Sequence, residues 1–106
     1  MYMSIRTYRV GRGSIDDMMH RVDTGLADAF AQEPGFAGYE VAQMADDTIT
    51  SITMFQTESQ AAASNDLAAR WVAEELAEFE IERTGVWSGK VRVSRATADI
   101  LEPAHA

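Results

Sequence analysis

The sequence predicts an α+β domain of the ferredoxin-like βαββαβ class, with an antiparallel four-stranded sheet and two helices on one face. Three observations carry that prediction. Strand-like alternation opens the chain from Tyr2 to Val10 and closes it from Val86 to Ala96. Two stretches of helical periodicity begin at Ser14 and Thr57, inside those ends. Between them, Glu33 to Gln56 reads as a hairpin, because two runs rich in Val, Ile, Thr, Tyr and Phe flank the polar break Asp46-Asp47.

The first strand puts Met3, Ile5 and Thr7 on one face and Tyr2, Ser4, Arg6, Tyr8 and Val10 on the other. Gly11-Arg12-Gly13 is a short turn into Ser14, which has Asp17 three residues on, a capping-box variant. Asp16 and Asp17 also sit at the positive end of the helix dipole. Ile15, Met18, Met19, Val22, Leu26, Ala29 and Phe30 fall in one stripe, and His20 points away from it as a surface residue. Gly25 costs this helix about 1 kcal/mol relative to alanine, so it marks either close packing or nothing in particular. Pro34 disfavours helical geometry at Glu33, and Gly35 permits the positive φ of a sharp turn; a helix stops and a strand begins there.

After the hairpin, whose second strand sets Ile52 and Met54 opposite Ile49 and Phe55, Thr57 and Gln60 have capping-box spacing. The second helix is expected to run to about Phe79, with Ala61, Leu67, Ala68, Trp71, Val72, Leu76 and Phe79 on its apolar side. Glu75 falls near the middle of that side, Ser64 lies within it and Asn65 at its margin, and polar residues among core positions are the informative exceptions. In the last strand Gly89 marks a bulge or a close backbone approach. Residues 1–96 form the domain, and 97–106 are a tail without periodicity, disordered or laid over a partner subunit. Both faces of the strands carry apolar groups, so the face without helices is expected to close against a second copy in a homodimer.

Composition narrows the function. With 106 residues, 46% apolar and 25% charged, the chain is one ordinary globular domain. A net charge of −8 repels phosphate, so nucleic acid and anionic membranes are not expected partners. There is no cysteine for disulfides, thiolate metal sites or nucleophilic catalysis, and no apolar run long enough for a membrane span, which together fit a cytoplasmic protein. No serine-histidine-aspartate set, phosphate loop or metal-spaced cluster appears, and the acidic pairs are capping and turn residues.

The chain resembles the antibiotic-biosynthesis-monooxygenase-like group of the dimeric α/β-barrel superfamily. The residues that carry the resemblance are Ile5 to Val10, Gly13-Ser14 at a helix start, Pro34-Gly35-Phe36-Ala37-Gly38-Tyr39, Ile52-Thr53-Met54-Phe55 leading to Ser59, and Ala69-Arg70-Trp71-Val72. The group contains quinone-forming oxygenases without a cofactor, haem-degrading enzymes, and members with no assigned activity. In haem-degrading members the resemblance implies an asparagine on the first strand and a histidine ligand on or near the second helix. Here the asparagine position falls on Arg6 and no histidine lies between Thr57 and Lys90, so the chain departs from that branch. Some quinone-forming members carry asparagine and tryptophan one turn apart on that helix; here Ala69 follows Asn65 by one turn. The expectation is therefore a monooxygenase acting without a cofactor on a small aromatic or polyketide-like compound, or else a non-catalytic dimer with a ligand-binding, stress or accessory role.

Such an oxygenase needs an apolar cleft, a base, and donors aimed at the substrate anion. Arg6 is always charged and either holds that anion or pairs with an acid such as Glu75. Glu75, one turn after Trp71, is a base if desolvated, a counter-ion if beside Arg6, or an exposed acid. Tyr8, Phe55, Ser64, Asn65 and Trp71 are the candidate substrate-binding residues, with Tyr39 lining or filling the cleft; Trp71 is also a natural core residue.

Overall fold

The computed structural model describes residues 1–95, so the tail expected over 97–106 lies outside the described residues. Strands β1 (Tyr2–Val10), β2 (Phe36–Ala45), β3 (Thr48–Phe55) and β4 (Ile81–Lys90) form one antiparallel sheet in the order β2-β3-β1-β4. One helical segment of the covering layer consists of α1 (Ile15–Arg21), a π-helical turn at Val22–Leu26 and α2 (Ala27–Ala31); the other is α3 (Glu58–Glu75) with a 3-10 turn at Ala77–Phe79. This is the α+β, ferredoxin-like arrangement that the sequence predicts. No helix among the described residues is long and apolar enough to cross a membrane.

The predicted boundaries hold where local chemistry sets them. Ser14 caps α1 by accepting from the Asp17 backbone N–H, and Thr57 and Gln60 form the reciprocal capping box of α3. Gly35 takes a φ of 78°, and a side chain there would also run into Gln60. Four expectations are corrected. The first helix is not uninterrupted: it widens into the π turn that contains Gly25, where an added Cβ would lie 2.7 Å from the Trp71 ring. Close packing is therefore the reason for that glycine. The second helix ends at Glu75, not Phe79, because Leu76 leaves helical geometry and Glu80 turns the chain back at a φ of 49°.

The last strand consequently starts at Ile81, five residues before the expected Val86, and ends at Lys90. Its irregularity lies opposite Thr7 and Tyr8, around Thr84, and not at Gly89, which has open space about it. Gly85 instead lies beneath the Trp87 ring. The core between sheet and helices contains Tyr8, Val10, Met18, Val22, Leu26 and Phe30, closed by Phe55 and Phe79. The opposite sheet face bears no helix and carries Met3, Ile5, Ile52 and Met54 half-buried, with Trp87 57% exposed.

Candidate functional site

Alternation along β1 and β3 sends Ser4, Arg6 and Tyr8, with Ser51 and Thr53, to the helix-covered face. The register sets Arg6 opposite Ser51 and Ser4 opposite Thr53, so the hydroxyls flank the arginine across the strand pair. Above them α3 places Ser64 and Asn65 in its second turn. Arg6 is fully buried. Its Nε donates to Ser51 Oγ at 3.1 Å, and Nη1 donates to Asn65 Oδ1 at 2.8 Å and Thr53 Oγ1 at 3.1 Å, with Ser64 Oγ at 3.5 Å. The guanidinium also lies over the Phe30 ring, 5.5 Å from its centroid. Nη2 is buried and has no hydrogen-bond partner.

The surrounding hydroxyls form a directed network. Ser64 donates its proton to the Ala61 carbonyl at 2.6 Å, so Thr53 donates to Ser64 and keeps its lone pairs for Arg6. Ser4 donates to the same carbonyl and accepts from Ser88 and from Asn65 Nδ2. Asn65 is thereby fixed with its oxygen toward Arg6, and its own backbone carbonyl accepts from Arg83. Every acceptor of Arg6 is neutral. The charged or titratable groups that act on it are Tyr8, Tyr39 and Arg83, none of them a carboxylate. Burial pulls its pKa down, with the tyrosines opposing, yet an arginine starts so high that it stays charged. Burial pushes the Tyr39 phenol well above its ordinary value, so Tyr39 is a hydrogen-bond donor and not a phenolate.

Beside this network lies a cavity of about 30 Å³, between the helical layer and the sheet. Tyr8, Tyr39 and Ser51 supply its polar groups, and Met18, Met19 and Leu26 belong to its apolar wall. That volume holds about one water molecule, so an aromatic ring enters only if the flexible methionines and their helix yield.

Of the residues expected at the site, Arg6, Ser64 and Asn65 share one hydrogen-bonded cluster and Tyr8 lines the cavity. Glu75 is a correction. It is exposed, and its backbone carbonyl accepts from Arg21 at the surface. The helical wheel misplaced it because the buried residues of α3, Ala61, Ser64 and Ala68, lie in its first three turns, and Leu76 reaches the core only by departing from the helix. Trp71 lies half-buried against Gly25 and Phe55 packs edge-on against Phe36; neither lines the cavity. Ser51 and Thr53 escaped the sequence reading, although their alternation with Ile49 and Phe55 placed them on the same face. His20 is exposed, as its wheel position indicated.

No protein-family model and no curated protein matches this sequence. Solved structures do match its fold. SnoaB, a cofactor-independent oxygenase from Streptomyces nogalater, superposes with a TM-score of 0.65 at 13% identity, covering 88% of this chain and 94% of that one. A monooxygenase from the gene ActVA-Orf6 of Streptomyces coelicolor, in complex with the ligand nanaomycin D, gives 0.61 at 12% identity over 92% of each chain. The NE2512 protein of unknown function from Nitrosomonas europaea gives 0.68 at 12% identity, covering 92% of this chain and 95% of that one. The chain has the fold of the antibiotic-biosynthesis-monooxygenase-like proteins. Fold at such identities hosts more than one activity.

Proposed function

We propose that this chain is a cofactor-independent monooxygenase-like protein that takes a small aromatic or polyketide-like compound into the space between its helices and its sheet. The observation that carries this reading is an apolar cavity whose polar groups are two tyrosine hydroxyls and Ser51, the same serine that accepts from the buried Arg6. Without a cofactor, the substrate itself supplies the electrons. An activated ring methylene loses a proton, the carbanion reduces dioxygen, one oxygen atom stays as the new carbonyl, and the other leaves as water with the two hydrogens of the methylene.

The cavity lining includes neither carboxylate nor imidazole. The protein's part is therefore to stabilise the anion, with the neutral Tyr39 hydroxyl and the Arg6 cluster as the donors, while solvent reaching the cavity takes the proton. That same lack of a base, with the small volume of the cavity, favours the second reading, a small-ligand-binding dimer without catalysis. Incubation with an electron-rich anthrone separates them. The oxygenase reading expects uptake of one dioxygen per quinone formed, faster than the background reaction. Binding without oxygen uptake decides for the second reading, and the absence of both sinks the pocket.

The helix-free face supports a homodimer closed sheet against sheet, since Met3, Ile5, Ile52, Met54 and Trp87 form one apolar surface there.

A further inference from the structure

We infer that Arg6 is a preformed anion seat, and that the ligand enters as an oxyanion, an ionised ring hydroxyl or a carboxylate, that completes an ion pair the protein leaves open. The inference rests on the pocket proposed above for the placement of the aromatic body. The chain has 17 acidic residues against 9 lysines and arginines. Among the described residues its ion pairs are Arg9 with Glu82, Arg12 with Glu80 and Arg21 with Glu78, all exposed. A chain so rich in carboxylates nevertheless surrounds its fully buried guanidinium with three hydroxyls and one amide oxygen. Neutral acceptors fix the geometry of a cation but do not cancel its charge.

The arrangement has the form of a site because the bonds made are specific about the bond left over. Ser51 takes Nε, and Asn65 and Thr53 take Nη1, which holds the guanidinium plane; Phe30 lies over it; Nη2 makes no hydrogen bond of normal geometry, and the Tyr8 hydroxyl is the further group that acts on the guanidinium as an acceptor. An oxyanion accepting from Nη2 satisfies the orphaned donor and the uncompensated charge together. Arg6 does not itself line the neighbouring cavity, but Ser51, which accepts from it, and Tyr8 and Tyr39, which act on its charge, do, and that cavity has room for one oxygen atom or a chloride ion. Arg83, whose Nη1 is bonded to the Asn65 carbonyl, adds charge of the same sign and strengthens the preference for an anion.

The counter-charge has two sources, the oxyanion of an aromatic ligand or a free small anion, and one set of titrations distinguishes them. Calorimetric titration of the native protein with 2-naphthoate and with the neutral 2-naphthylmethanol compares a charged and an uncharged ligand of similar shape. We expect the acid to bind about tenfold or more tightly than the alcohol, as a charge-assisted hydrogen bond requires. In Arg6→Met and Arg6→Lys that preference shrinks, the acid losing affinity while the alcohol keeps it. Equal affinities in the native protein overturn the seat even if neither variant folds, and leave the pocket standing. If neither aromatic binds, yet chloride or acetate raises the Tm of the native protein and not of Arg6→Lys, the seat holds a free anion and the aromatic pocket is wrong. No response to any of these probes overturns both.

Discussion

The two faces of the same strands are built in opposite senses. On β1, the face under the helices carries Ser4, Arg6 and Tyr8, and the face without helices carries Met3, Ile5 and Thr7. On β3 the covered face carries Ser51 and Thr53, and the uncovered one Ile52 and Met54. A sheet covered on one side ordinarily buries its apolar residues there and turns polar ones to water. Here the centre of the covered face is a hydroxyl cluster around a cation, while apolar side chains stand on the open face. Stability alone does not account for this, since a buried charge with no counter-charge is costly and an exposed apolar face gains nothing from water. The inversion is what the proposed ligand site and the proposed sheet-to-sheet dimer would each require.

A charge placed on the open face gives the largest expected effect. Ile52→Asp, at the centre of that face, is expected to weaken the proposed dimer by about 4 kcal/mol, or about a thousandfold in Kd. Light scattering then shows a folded species of 11.7 kDa in place of one twice that mass. An unchanged dimer breaks the comparison, because the open face would then not be the interface.

A smaller effect separates neighbouring threonines that point in opposite directions. Thr53→Val removes an acceptor of Arg6 and the donor to Ser64, and is expected to cost about 2 kcal/mol, in the range for hydrogen bonds to charged groups. Thr50→Val, on the open face, is expected to stay within about 0.5 kcal/mol. Urea denaturation of both variants at one protein concentration tests the contrast, and equal losses would show that the buried cluster is not held by the bonds assigned to it.

The smallest effect comes from a cation that does have a carboxylate. Arg21 binds Glu78 through two bonds, of 2.6 and 3.0 Å, and that hydrogen bonding holds the Glu78 pKa below its ordinary value. A carboxylate lowered in the folded state stabilises above its unfolded pKa, and the contribution disappears as pH falls through the folded pKa. Both side chains are exposed, so Glu78→Gln should lower the Tm only slightly at neutral pH, and the difference should close in acid. A larger loss than that of Thr53→Val would reverse the ranking of exposed and buried charge.

Sequence by itself determined the elements whose signals are local. Ser14, Thr57 with Gln60, and Pro34-Gly35 mark helix and strand ends through bonds and dihedral limits that span three or four residues, and the structure keeps each of them. Alternation likewise assigned Arg6 and Tyr8 to one face, and the order of elements gave the fold class. Tertiary structure decided whatever depends on residues distant in the chain. Glu75 left the site because the late turns of α3 direct Val72 to the cavity and leave Glu75 in solvent, and Gly25 acquired its purpose from Trp71, 46 positions away. The strand β4 began early because Glu80 takes a left-handed conformation with its carbonyl accepting from the Gly11 N–H, a bond between segments that no short window contains. The missing counter-ion of Arg6 is of the same kind. A sequence with 17 acids offers many partners, and only the packing of β1, β3 and α3 determines that hydroxyls arrive there instead.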